Sequence, residues 1–155
     1  MGGWWGYLDI YMKSPPAAVD LELRAAQLDE IAAVVRQRTE VELAVRAQLM
    51  AFWEATPMAE QRYIADELAI VLEESSRTTQ HWLEDAVGFH SYPELQALVA
   101  SGCWSMRHAD AVMDELASLT AEQRRAVLDL VLRQAGARTP YELKKATRAA
   151  SGSTR

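Results

Sequence analysis

The side chains that titrate, ligate or attack are few in this sequence and badly spaced for joint work. Three histidines, His81, His90 and His108, and a single cysteine, Cys103, are its only soft metal ligands. No two histidines have the His-x-x-x-His spacing that aligns both on one helix face. Cys103 and His108 stand five apart across an expected turn, a poor chelate geometry. The expectation is no metal site, a partly buried thiol, and surface or capping imidazoles. One cysteine also excludes an internal disulfide framework. No glycine-rich loop follows a strand, so there is no Walker or dinucleotide fingerprint. Glu73-Glu74 and Glu84-Asp85 are adjacent pairs, and adjacent helix positions point about 100° apart. Neither converges as a catalytic dyad would. No catalytic residue, cofactor or small-molecule ligand is assigned, and the chain reads as a non-enzyme.

Charge is the first feature with direction. The chain has net charge −6, yet from Arg124 onward there are 8 Lys/Arg against 2 Asp/Glu. A basic end on an acidic body suits nucleic acid or an acidic partner. It also suits a solvated helix face whose Lys and Arg complement the helix dipole. The candidate phosphate contacts are Arg124, Arg125, Arg133, Arg138, Lys144, Lys145 and Arg148, with Arg107 apart from them. Any DNA binding would be weak and non-specific. The C-terminal segment is expected to offer a core little beyond Leu143, the rest being mostly Ala and basic residues.

The elements that must position these groups are helical. Of 155 residues half are apolar, and 26 are Ala, the best helix former. No stretch alternates with period two. Prolines 15–16, 57, 93 and 140 each follow an N-cap candidate, where the first turn tolerates them. Gly88, Gly102 and Gly136 each follow an apolar periodic run, as C-caps do. Ser91-x-x-Glu94, Thr120-x-x-Gln123 and Thr139-x-x-Glu142 read as capping boxes, and Ser105 as a plain N-cap. The spacing predicts helices over about 17–55, 58–73, 76–87, 93–101, 105–118, 121–135 and 140–150. The prediction is an all-α fold of about seven helices: a long N-terminal helix, then a bundle of short antiparallel helices. Expected boundaries are an aromatic leader over 1–16, one helical domain over 17–150, and a disordered tail over 151–155.

The first helix carries Leu23, Ile31, Val34, Val41, Val45, Leu49 and Phe52 on one stripe, with Arg38 its only charge. Some 38 residues span about 57 Å. A compact domain of this size has a radius of gyration near ~15 Å. The stripe stays in phase across Arg36–Glu40, which favours one continuous helix. The expectation is a homodimer formed through residues 20–55.

Two segments resemble helix-turn-helix pairs. In residues 67–87, Ala69 supplies the small residue for close packing and Ser75 or Ser76 the second cap. Arg77, Thr78, Gln80 and His81 would face a groove, although Glu73 stands where such turns carry Gly. In residues 97–116, Gly102 makes the turn, Ser105 caps, and Arg107 and His108 lie at the exposed start. This second stretch is similar to the helix-turn-helix of ParB-type partitioning proteins. Acidic residues mark both second helices: Glu84 and Asp85 in the first pair, Asp110, Asp114 and Glu115 in the second.

From about Arg62 to Ala150 the order of ELAIVLEESSRTTQHWLEDA, LVASGCWSMRHADAVMDELASL, LRQA and RTPYELKKATRAA resembles the actinobacterial 13E12-repeat family, or domain of unknown function 222. That resemblance implies a helical region, often placed before an HNH nuclease domain, with a DNA-related role. Nothing after His108 contains a histidine or cysteine, so the nuclease is not carried over. The implied protein is a nuclease-less or truncated member, conceivably a mobile-element remnant.

No segment reaches the ~20 apolar residues of a membrane span. The leader, with Trp4, Trp5 and Tyr7, has no positive charge ahead of its apolar stretch, so it is a poor signal peptide. Its rings could stack on bases, and Met12 is an alternative start. The expected location is the cytoplasm.

Overall fold

A computed structural model of the protein describes residues 21–134 and 138–153. The expected leader, the first turn from residue 17 and the Gly136 stop lie outside the described residues. The chain divides into two compact units, Met1–Gln37 and Arg38–Arg155. That boundary falls inside the single domain expected over 17–150. Seven α-helices are described: α1 Leu21–Ala55, α2 Ile64–Leu72, α3 Ser76–His90, α4 Pro93–Ala100, α5 Met106–Leu116, α6 Ala121–Gln134 and α7 Pro140–Ser153. A 3-10 turn at Gln61–Tyr63 precedes α2. No strand occurs among the described residues, and the fold is all-α.

The described part of the first unit is helix alone. Leu21, Leu23, Leu28, Ile31, Val34 and Val35 are all more than half exposed.

In the second unit the main core joins α3 to α7. Leu95, Ala109, Val112, Leu116, Val127, Leu128 and Leu143 are wholly enclosed there. A smaller core joins Leu49 of α1 to Ile64, Ala65, Leu83 and Ala86. The most extensive pairing is α5 against α7. Here the sequence expectation fails. Besides Leu143, α7 buries Thr147, Ala150 and Ser151. Each hydroxyl donates to the carbonyl four residues back, Thr147 Oγ1 to Leu143 at 2.7 Å and Ser151 Oγ to Thr147 at 2.7 Å. Satisfied in this way, small polar residues pack as apolar ones do, letting α7 approach α5 closely. The helix consequently continues past residue 150, to Ser153.

Three helix boundaries also differ from expectation. Pro57 does not start an α-helix; its carbonyl accepts the Glu60 and Gln61 amides in a single turn, and the α-helix begins only at Ile64. The Gln61 side chain meanwhile donates to the Trp53 and Thr56 carbonyls, capping the end of α1. Gly88 lies inside α3, which stops only before Tyr92-Pro93. Ser91 forms no box with Glu94; its hydroxyl donates back to the Val87 carbonyl at 3.0 Å. The Thr120/Gln123 and Thr139/Glu142 boxes are reciprocal as expected. Gly102 takes φ +78, the left-handed turn expected of it.

Candidate functional site

The eight cations singled out from the sequence do not form one open positive surface. Arg148 makes a two-pronged pair with Glu115, Nη2 to Oε1 at 2.7 Å and Nε to Oε2 at 3.2 Å. Lys144 lies 3.8 Å from Asp114. Arg125 donates to Glu94 at 2.6 Å and lies 3.5 Å from Asp129. Arg124 donates its Nε to the Leu119 carbonyl at 2.8 Å. Lys145 stands over the Tyr141 ring, 5.5 Å from its centroid. Arg133 is exposed on α6, and Arg138 precedes α7. Arg107 lies elsewhere, beside α1, α2 and α3. The α5 carboxylates thus lie against the α7 cations, and Glu115 and Arg148 hold each other charged. Hydrogen bonds from Arg148 hold the Glu115 carboxyl below its usual range. Tyr141, which the sequence reading passed over, is 70% exposed and lines an open face with Lys144, Lys145 and Arg148. Its spacing of three and four residues from the two lysines was the available signal.

The helix pairs are well-made turns. Glu73 ends α2 in the left-handed region at φ 54, the conformation for which Gly is ordinarily chosen. Its amide and that of Glu74 both reach the Ala69 carbonyl. Ser75 caps α3, accepting the Thr78 amide at 3.1 Å. Buried Thr79 donates to the Ala65 carbonyl across the pair at 2.6 Å. Of the groove-facing candidates, Arg77 is exposed and Thr78 half-buried. Gln80 donates to Glu84 at 2.9 Å, and His81 lies 3.7 Å from it. These contacts set two of them beside a carboxylate that repels phosphate.

In the second pair Ser105 is more than a plain cap. Its amide donates to His108 Nδ1 at 3.1 Å, which leaves the ring proton on Nε2, 2.9 Å from the Arg138 carbonyl. His108 therefore joins the start of α5 to the approach to α7. Cys103 is exposed rather than partly buried. No group of three or more His, Cys, Asp or Glu able to hold a metal occurs among the described residues. No described helix is long and apolar enough to cross a membrane.

One concavity draws on residues that are far apart in the sequence. An open groove of about 470 Å³ is lined by Val41, Val45, Leu49, Leu72, Trp82 and Met106. Trp82 is the largest apolar side chain of α3, yet Thr79, Leu83, Ala86 and Phe89 take the buried face. That leaves Trp82 38% exposed, with Val41 at 57% and Val45 at 46%. Around this strip stand Arg38, Arg46 and Arg107, and Glu42, Asp85 and Asp110. Arg46 is largely covered. It donates to Asp110 at 2.8 Å and lies over the Phe89 ring at 5.3 Å, fixing this part of α1 to α3 and α5. Arg38 pairs with Glu42 at 3.1 Å. Burial raises both the Asp85 and the Asp110 carboxyls above their usual range, with Arg46 pulling the other way.

No family model, curated protein or solved structure matches this chain.

Proposed function

We propose that this chain is a helical interaction module that forms a homodimer through residues of α1. One observation carries the reading: in the second unit α1 leaves Val41, Val45 and Phe52 exposed, although a core lies within reach and takes Leu49. Exposed β-branched and aromatic residues recurring on one helix are the usual mark of a surface awaiting a partner. Val45→Glu tests it. A charge in the apolar strip should return the mass seen by light scattering to that of one chain while leaving the helical spectrum intact. A variant that keeps the wild-type dimer mass would refute a contact at this strip.

A second reading, association with DNA through the basic end, draws on Tyr141, Lys144, Lys145 and Arg148 sharing one face. It is the role implied by the 13E12-repeat resemblance, which stays with this proposal. Against it, Asp114 and Glu115 lie among the same cations. If about four side chains met phosphate, log affinity should fall with log salt at a slope near −3.6. Lys144→Glu with Lys145→Glu should then abolish binding. Unchanged DNA affinity in that double variant would dispose of this second reading.

A further inference from the structure

The groove bounded by Val41, Val45, Leu72 and Trp82 has both an apolar floor and a rim of fixed charges, and the rim identifies its partner. Three arginines stand against three carboxylates around the strip. An acidic helix would meet Glu42, Asp85 and Asp110; a basic one would meet Arg38, Arg46 and Arg107. Neither is complementary. A surface carrying both signs complements itself when a two-fold axis sets each sign against the other. Within one chain Arg38 is paired with Glu42, and Arg46 with Asp110. Arg107 and Asp85 are the remaining opposite charges, and no hydrogen bond or ion pair joins them to each other.

We infer that the groove is the contact between two copies of this chain, and that Arg107 of each copy pairs with the partner's Asp85 across the two-fold axis. This inference rests on the self-association reading and adds to it the face, the symmetry and the charge pair. Trp82 would be the anchor. It is the one aromatic side chain lining the groove, and it shares that lining with the apolar Val41, Val45 and Leu72 that would help exclude water, as interface hot spots require. The pairing would also replace the water that Asp85 now half retains with a guanidinium. That is the better exchange for a carboxylate already partly desolvated.

The test is a charge exchange in the full chain, read as the dimer dissociation constant by sedimentation equilibrium. Arg107→Asp and Asp85→Arg each place like charges together twice in a two-fold dimer. Each should weaken dimerisation at least about tenfold. The double variant restores opposite charges and should return to within about threefold of wild type. Both reversals suit their helices, since Arg107 is in the first turn of α5 and Asp85 is in the C-terminal half of α3. Should either unfold, Arg107→Ala and Asp85→Asn ask the same question more gently, with coupling between the two losses as the readout. Rescue in the double variant supports the pair. A dimer indifferent to both single changes, or weakened by them without rescue, overturns the groove contact and leaves self-association standing. A wild-type protein that never dimerises defeats both.

Discussion

The two ends of the second unit treat their residues in opposite ways. On α7, Thr147 is completely enclosed and Ser151 nearly so. On α1, Val41 and Val45 face outward. Hydropathy alone would assign them the other way round. The difference is one of neighbours. Thr147 and Ser151 spend their hydroxyls on their own helix and present small, smooth surfaces that α5 can approach. Val41 and Val45 line the open groove, and among the described residues no helix of the same unit covers them. A buried hydroxyl marks a contact the fold has already made, whereas the exposed valines of α1 mark a surface this unit leaves uncovered.

The harshest way to break this comparison is to remove α7. Deleting residues 141–153 takes away Leu143, Thr147, Ala150 and Ser151. It should abolish cooperative thermal unfolding, watched by circular dichroism, because the α5 face would be left open. A deletion that melts as sharply as the full chain would show α7 to be a mere appendage. Point changes sharpen the contrast. Leu116→Ala should cost about 2–5 kcal/mol in urea unfolding, since Leu116 is fully enclosed. Val41→Ala, measured where the chain is dilute enough to be single, should change stability by less than about 0.5 kcal/mol. Equal costs would mean that α1 is as much core as α5.

Two buried threonines provide a finer test. Thr79 and Thr147 are both fully enclosed. Thr79 donates to a carbonyl of another helix and Thr147 to one of its own. Thr79→Val should cost about 1 kcal/mol and loosen the α2–α3 pair. Thr147→Val should be nearly neutral, since the Leu143 carbonyl keeps its place in the helix. Urea denaturation of both variants decides.

The smallest expected effect concerns pH. The folded Glu115 carboxyl lies below its ordinary value of 4.5 because Arg148 hydrogen-bonds it. Its contribution is present above the unfolded value and is lost as pH falls through the folded one. Asp85 and Asp110, raised from 3.8 by burial, act in the opposite sense: their cost disappears as acid protonates them. Glu115→Gln should therefore make the melting temperature less sensitive to acid below about pH 4.5. A steeper acid loss in the variant would contradict the assignment.

Much of this architecture can be read in the residues. Thr120, Thr139 and Gly102 act locally, through bonds spanning three or four positions, and their roles follow from spacing. Ile64, Leu95, Val112 and Val127 follow from helical period. What could not be read depends on distant partners. Gln61 delays α2 because its amide finds the end of α1. Trp82 turns outward because Leu83 and Phe89 win the buried face. The groove joins residues from four helices, and no periodicity within one segment could gather them. The basic end was legible as charge; its pairing with Asp114 and Glu115 was not, because that needs α5 beside α7.

If a second copy covers the exposed apolar strip of α1, sedimentation equilibrium of the full chain from low to high micromolar concentration should show it. The mass should rise with concentration to twice the 17.3 kDa of one chain. A mass that stays at one chain throughout that range would contradict it.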